Sequence, residues 1–253
     1  MSKNLHGVEW TPDKIGSFWN NIDTLIEMGV RQNDYFTLLN GSSVLGYVKK
    51  EVGLRNKQIL DYGCGLGYMC ELIINEGSAA GVYGCDLSSE SVSIVNKKLG
   101  SNPLFKEAFS VSSENIMRFK GFFDLVLLTE VIEHLDNRDL SVVCSNIRTL
   151  LKPGGKIFIT TPNNEDFRSS MVVCPDCGCY FHKVQHIRIW NEESLASHMN
   201  GEGFNEVMSI QTDINSGSTW KMKVFKYVRS ILHAIEGKKG GENLIYIGER
   251  MSS

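Results

Sequence analysis

The chain has 253 residues, 42% hydrophobic and 22% charged, which is enough apolar material to bury the core of one large domain. A formal net charge of −3 gives no electrostatic footprint for a nucleic-acid partner, and no apolar run reaches the length of a membrane span. The opening MSKNLHGVEWTPDKIG carries no apolar stretch with a cleavage site, so a cytoplasmic protein is expected, its seven cysteines reduced.

Residues 1–55 read as a helical cap rich in aromatics, with Trp10, Phe18, Trp19, Tyr35 and Phe36. Lys57–Asp61 reads as a short buried strand that ends in the glycines Gly63, Gly65 and Gly67, and Tyr68–Glu76 as a helix. Gly81–Asp86 is a second strand, and Ser88 is placed to cap a helix that runs to Leu99. Phe105–Val111 and Phe122–Thr129 have strand length and composition. A helix over Asn137–Leu151 stops at Lys152-Pro-Gly-Gly155, before a strand at Lys156–Thr161.

The rhythm breaks at 162–190 and resumes with a helix at Asn191–Gly201 and a strand at Phe204–Thr212. A basic amphipathic helix over Thr219–Ile235 precedes a last strand, Asn243–Gly248. Lys221, Lys223, Lys226 and Arg229 on that helix are expected to face solvent, with a peripheral contact to a membrane or a phosphorylated acceptor as the functional alternative. This alternation predicts an α/β fold: a doubly wound, mostly parallel, seven-stranded sheet with helices on both faces. The chain then forms a single domain, with 1–55 as the cap, 56–161 as the cofactor-binding core, 162–190 as a Cys/His-rich insertion and 191–253 as the C-terminal part of the sheet.

Ile59-Leu-Asp-Tyr-Gly-Cys-Gly-Leu-Gly67 places glycines between a strand and a helix, where a backbone must turn tightly and let a ligand approach. Asp86 ends the next strand, where a carboxylate can accept from ribose hydroxyls. A dinucleotide loop would read Gly-x-Gly-x-x-Gly, whereas this chain reads Asp-x-Gly-x-Gly-x-Gly.

Together with Phe123-Asp-Leu-Val-Leu-Leu-Thr-Glu130 and Leu150-Leu-Lys-Pro-Gly-Gly-Lys156, that loop resembles the Rossmann-like S-adenosylmethionine-dependent methyltransferases over residues 57–161. The resemblance implies that Asp61, Tyr62, Gly63 and Gly65 line the methionine end of the cofactor, that Asp86 binds its ribose and that Leu87 lies beside its adenine. Ser112, Ser113 or Glu114 would sit near the adenine, with helix capping as the alternative role, and Thr129 at the end of the fourth strand would be a further contact. Trp19 and Tyr35 would cap the cofactor pocket, with core packing as the alternative for each.

Glu130-Val-Ile-Glu-His-Leu135 follows the fourth strand. If it turns helically, Glu130, Glu133 and His134 share a face that can bind a divalent cation. The hexapeptide is similar to that of two branches of the superfamily, the ubiquinone-biosynthesis O-methyltransferases and the small-RNA end methyltransferases that modify a ribose 2'-hydroxyl. Thr161-Pro-Asn-Asn-Glu165 is similar to a segment of both. In the RNA branch both glutamates, the histidine and a later histidine bind metal. That implies Glu130, Glu133, His134 and His186 as ligands of Mg2+ or another divalent cation. The alternative is that Glu130 and His134 shape the pocket floor by hydrogen bonding. A metal lowers the pKa of an acceptor hydroxyl, and a histidine alone can take its proton, so Glu130, His134 and His186 are the candidate catalytic residues.

Within Cys174-Pro-Asp-Cys-Gly-Cys-Tyr-Phe-His-Lys-Val-Gln-His186, the Cys-x-x-Cys-Gly start is half a zinc knuckle. Cys174 and Cys177 with His182 are expected to hold a structural zinc, Cys179 and His186 being the other residues able to complete it, and free reduced cysteines the alternative. His186-Ile-Arg-Ile-Trp190 resembles the segment that supplies the later metal-binding histidine in the RNA branch.

The expected activity is therefore O-methylation of a hydroxyl on a small polar metabolite such as a sugar, by a monomer or homodimer without a nucleic-acid partner. The alternatives are an RNA-end ribose 2'-O-methyltransferase that uses a divalent cation, and a non-catalytic zinc-bearing binding module. Nothing in the sequence fixes the acceptor atom as oxygen.

Overall fold

The computed structural model describes residues 5–27, 38–214 and 241–251. Tyr35 and the basic helix expected over 219–235 lie outside them. The chain opens with a two-residue strand, β1 (His6–Gly7), and two helices, α1 (Pro12–Glu27) and α2 (Leu38–Tyr47), the second passing into a π-helical turn at Val48–Val52. The core then alternates: β2 (Gln58–Tyr62), α3 (Tyr68–Glu76), β3 (Gly81–Asp86), α4 (Ser89–Leu99), β4 (Phe105–Ser110), α5 (Ser113–Arg118), β5 (Phe123–Thr129), α6 (Asn137–Leu150) and β6 (Leu151–Pro162). An insertion carries β7 (Met171–Val173) and β8 (Cys179–His182), after which α7 (Glu192–Gly201), β9 (Phe204–Thr212) and β10 (Asn243–Arg250) complete the sheet.

The main sheet has the order β4-β3-β2-β5-β6-β10-β9. Strands β2 to β6 are parallel to their neighbours, while β10 runs antiparallel to both β6 and β9. This is the doubly wound α/β fold that the alternation of strands and helices predicts. Strand order reverses between β2 and β5, and in such sheets ligands bind in the crevice beyond the carboxyl ends of the strands at that point. The ends of β2, β3 and β5 carry Tyr62, Asp86 and Thr129.

Side chains alternate across the sheet with a period of two. Ile59, Leu125 and Leu127 face α2, α3 and α4, packing with Val44, Ile73 and Val95. Leu60, Val126 and Leu128 face α5, α6 and α7, packing with Ile116, Ile147 and Leu195. Both faces are covered, which is why these strands read as near-continuous apolar runs.

The helix starts are set by side-chain caps. Ser88 accepts from the Ser91 amide, Asp136 from the Asp139 amide at 2.8 Å, and Asn191 forms a reciprocal capping box with Ser194. Two features depart from the expected elements. Strand β6 begins at Leu151 and runs through the Lys-Pro-Gly-Gly turn, because Leu151 pairs with Phe123 ahead of an irregularity in the ladder. The insertion, for which no strands were predicted, carries a hairpin of β7 and β8, and β1 pairs parallel with β8. No helix among the described residues is long and apolar enough to cross a membrane.

Phe158 is fully buried in the inner strand β6. Phe158→Ala is expected to destabilise the protein by about 3–5 kcal/mol. The check is a lower urea midpoint with an unchanged m-value.

Candidate functional site

The half of the site that holds the cofactor candidates is built from the loop after β2. The amides of Gly63 and Cys64 both donate to the Cys85 carbonyl, at 2.8 and 3.0 Å, drawing the loop onto β3. Gly63 has φ of +80°, and a Cβ there would lie 2.8 Å from Val131 Cγ2, so only glycine fits. Asp86 ties this loop to the next turn: Oδ2 accepts from the Gly65 amide and Oδ1 from the Ser88 amide, each at 2.9 Å. Burial raises its carboxyl above the usual range, and the amide bonds oppose that rise.

Asp61 is 2% exposed. The Cys70 thiol lies 3.8 Å from its Oδ2, while Oδ1 has no hydrogen-bond partner among the described residues. Burial and the neighbouring charge of Asp86 push the Asp61 carboxyl up to about 7.

The remaining cofactor candidates are placed as follows. Leu87 is 81% exposed, a bare apolar side chain at the end of β3. Ser112 caps α5 by accepting from the Asn115 amide at 3.2 Å, and Ser113 is the exposed first residue of that helix. Thr129 is half-buried at the end of β5. The Tyr62 ring packs in the core, and its hydroxyl accepts from Asn146 Nδ2 of α6 at 3.2 Å.

The second half begins at Glu130, whose φ of +53° puts a non-glycine residue in the left-handed region. The chain breaks direction there and continues as a short 3-10 turn, Ile132–His134. The single helical face expected for Glu130, Glu133 and His134 is therefore absent. The structure instead brings Glu133 and His134 together with His186, their ligand atoms all within 4.8 Å of one another. Glu130 lies beside Thr160, close enough to His186 and Glu165 to feel both, and burial raises its carboxyl above the usual range.

Glu133 is 1% exposed. Its Oε2 accepts from the Thr161 hydroxyl at 3.0 Å. Its Oε1 has no hydrogen-bond partner among the described residues and lies 3.9 Å from His134 Nε2 and 3.8 Å from His186 Nε2. Those separations are too long for hydrogen bonds and suit three donors around one ion. Burial first, then the charge of Glu130, raise the Glu133 carboxyl well above the usual range. Burial also holds His134 down at about 3, so its imidazole is neutral.

His186 is held from behind. Its Nδ1 lies 2.5 Å from Glu165 Oε2, and Glu165 Oε1 lies 3.2 Å from His182 Nε2. The His182 ring stacks on His186 at 4.5 Å, and His182 Nδ1 accepts from the His186 amide at 3.3 Å. With its Nδ1 proton donated to Glu165, His186 presents an Nε2 lone pair toward Glu133, an assignment that follows from these partners.

Trp19 covers the other histidine. Its ring meets His134 edge-on at 4.9 Å, and its Nε1 donates to Gln185 Oε1 at 2.9 Å. Gln185 Nε2 in turn donates to the His134 carbonyl at 3.2 Å. The residue expected over the cofactor thus stands over the histidine cluster. Gln185 and Glu165 were not singled out in the sequence: glutamine gives no local signal, and only the place of Glu165 in the Thr-Pro-Asn segment marked it.

The expected Cys174, Cys177 and His182 set is also divided. Cys174, Cys177 and Cys179 group together, whereas His182 joins Glu165 and His186. The cause is strand periodicity: Cys179 and His182 are three positions apart on β8, so they face opposite sides. Cys177 Sγ and Cys179 Sγ are 3.2 Å apart. The Cys179 amide and the neighbouring thiols pull the Cys177 thiol down to about 7.

An open, mostly parallel sheet with a glycine loop at its switch point and acidic groups near two strand ends defines a doubly wound α/β protein with a ligand crevice beyond its strand ends. Residues 44–209 match the model of a methyltransferase-domain family, and the chain belongs to that family. The ubiquinone biosynthesis O-methyltransferase of Burkholderia orbicola is 33% identical over 121 residues, 47% of this chain and 50% of that protein. The chain thus spans about half the length of the curated relatives it matches.

Among solved structures, the Burkholderia thailandensis 1,6-didemethyltoxoflavin-N1-methyltransferase, with bound 1,6-didemethyltoxoflavin and S-adenosylhomocysteine, superposes with a TM-score of 0.64. It is 14% identical, covering 98% of this chain and 94% of that one. A putative S-adenosylmethionine-dependent methyltransferase from Listeria monocytogenes gives 0.59 at 16% identity, covering 85% and 99%. At such identities the likeness is one of fold.

The folded protein keeps the Asp61 proton up to about pH 7, while the unfolded chain releases it near 3.8. Between those values the folded state binds more protons, so the Asp61 contribution to stability falls as pH rises through that window. Asp61→Asn should remove this fall. Its melting temperature, measured without ligand, is expected to gain on the wild type between pH 5 and pH 8.

Proposed function

We propose that the chain transfers the methyl group of S-adenosylmethionine to a hydroxyl oxygen of a small polar molecule, such as a sugar derivative. The observation that carries this reading is the unpartnered Glu133 Oε1 between the Nε2 atoms of His134 and His186, beyond β5 and next to the loop that follows β2. Family membership supports methyl transfer, and the names of the curated relatives support oxygen as the acceptor.

In this reading Asp61 meets the cationic methionine end of the donor, Asp86 accepts from the ribose hydroxyls, and exposed Leu87 covers one face of the adenine. The acceptor hydroxyl sits against the histidine cluster. His186 Nε2 takes its proton as the oxygen bonds the methyl carbon and the carbon–sulfur bond breaks, leaving S-adenosylhomocysteine, the methyl ether and an imidazolium. Glu165, already paired with Nδ1, stabilises that imidazolium. Trp19 and Gln185 close the His134 side, which supports a compact acceptor.

Glu133, His134 and His186 also fit a divalent cation, because one buried carboxylate oxygen stands unpartnered between two imidazole nitrogens. Two nitrogens and one oxygen suit Mn2+, Fe2+, Co2+ or Zn2+ better than Mg2+. A bound cation would lower the pKa of the acceptor hydroxyl. The same cluster also favours a second reading, a ribose 2'-hydroxyl at an RNA end. Salt-sensitive RNA binding would select it.

The test follows S-adenosylhomocysteine release with a panel of sugar, nucleoside and phenolic acceptors. His186→Ala is expected to lower kcat by about 10²–10⁴-fold, with the Kd for S-adenosylmethionine unchanged by calorimetry. A full-rate variant would end the role given to His186. Exhaustive chelation separates the modes: activity that needs an added divalent cation assigns one to the cluster, and activity that survives leaves the histidine as sole base.

A further inference from the structure

The cysteine hairpin stands outside the chemistry just described. Cys174, Cys177 and Cys179 converge at the turn between β7 and β8, their sulfurs within 4.8 Å of one another and unbridged. The turn is built to hold them. The Cys174 amide donates to the Cys179 carbonyl at 2.8 Å, the Gly178 amide to the Cys174 carbonyl at 3.0 Å, and Gly178 takes a φ of +77°. Donor sulfurs around a tetrahedral zinc, each about 2.3 Å from the metal, lie about 3.8 Å from one another. Three thiolates leave one position open.

The neighbouring strand supplies a residue for it. Strand β1 runs parallel to β8 with His6 paired to Cys179 and Gly7 to Tyr180. The His6 amide lies 3.5 Å from the Gly178 carbonyl, and the Val8 amide donates to Tyr180 at 3.0 Å. Residues paired across a ladder present their side chains on the same face, so the His6 imidazole shares the face of the Cys179 sulfur.

We infer that Cys174, Cys177, Cys179 and His6 form a closed zinc site that fastens the first strand to the insertion hairpin. The consequence reaches the histidine cluster through rings. Trp10 packs edge-on against Phe181 of β8 at 6.0 Å and against Phe18 at 5.7 Å, Phe18 against Trp19 at 5.3 Å, and Trp19 against His134 at 4.9 Å. The zinc therefore fixes the start of a segment whose far end covers His134. A site with four protein ligands leaves no position for a substrate, so its role is structural. This inference does not depend on the acceptor or on the mode of proton removal.

The experiment uses the full-length chain after exhaustive dialysis, with elemental analysis and cobalt substitution. About one zinc per chain is expected to persist. It should disappear in Cys174→Ser, Cys177→Ser and Cys179→Ser and remain in His182→Ala. Cobalt in the wild type should show thiolate charge-transfer bands, which a metal held by Glu133, His134 and His186 cannot give, so the assignment stands even if a serine variant fails to fold.

His6→Ala should weaken zinc retention against a competing chelator by at least about tenfold. His6→Cys should restore retention and raise the charge-transfer intensity by about one third, as four thiolates replace three. Hydrogen exchange over residues 5–19 should quicken when zinc is removed. A wild type without tightly held zinc, or cobalt spectra without thiolate bands, would overturn the site. Zinc retention indifferent to His6→Ala would remove His6 from it and end the fastening role.

Discussion

Carboxyl groups held out of water at one edge of a sheet set the terms for everything else in this molecule. A parallel sheet brings strand ends together, and here those ends and the turns after them carry Asp61, Asp86, Glu130 and Glu133. Removing one such charge from water costs on the order of several kcal/mol unless partners replace the lost hydration. Asp86 receives two backbone amides, whereas Asp61 and Glu133 each keep an oxygen without a partner among the described residues. Raised proton affinities follow from that shortage. Burial thus favours the protonated form of both groups more than water would. A cation brought to either position favours the ionised form, so ligand binding and proton affinity are linked at both halves of the site.

Backbone strain is concentrated at the same place. Among the described residues four non-glycines have positive φ: Asn56, Glu130, Asn164 and Gln185. Three of these belong to or adjoin the histidine and carboxylate cluster. Glu130 turns the chain into the Glu133–His134 segment, Asn164 precedes Glu165, and Gln185 precedes His186. Each such residue costs on the order of 1–3 kcal/mol and persists only where its surroundings over-determine it. The surroundings here do so. Gln185 is fully buried and bonded to Trp19 and His134, and the Asn164 amide donates to the Trp190 carbonyl at 2.8 Å. The cluster is thus held by geometry that the chain would not adopt by local preference.

That contrast explains what was legible beforehand. The bounds of α3, β3 and β9 coincide with the segments predicted from pattern alone; burial along β3 and the left-handed Gly77 that ends α3 leave local traces. Gly63 was legible because no other residue tolerates both its φ and the nearness of Val131. The left-handed turn at Glu130 was not, since glutamate carries no preference for it, and the expected helical face failed for that reason. The side taken by His182 depends on the register in which β8 starts, which only the pairing with β7 and β1 decides. Strand β1 is two residues long and has no pattern of its own.

The pairing of His6 with Cys179 also sets an order of events. Strand β1, which lies ahead of the sheet in the chain, must wait for a partner translated after all five parallel strands, and closing so long a loop is slow compared with local pairing. The cofactor half can therefore assemble before anything covers His134. In the finished protein the same hierarchy runs backwards. Strand β1 shares no rung with the seven-stranded ladder, so opening of the covering segment is an event separate from opening of the sheet. The segment over His134 can then open and close while the seven-stranded sheet itself stays closed.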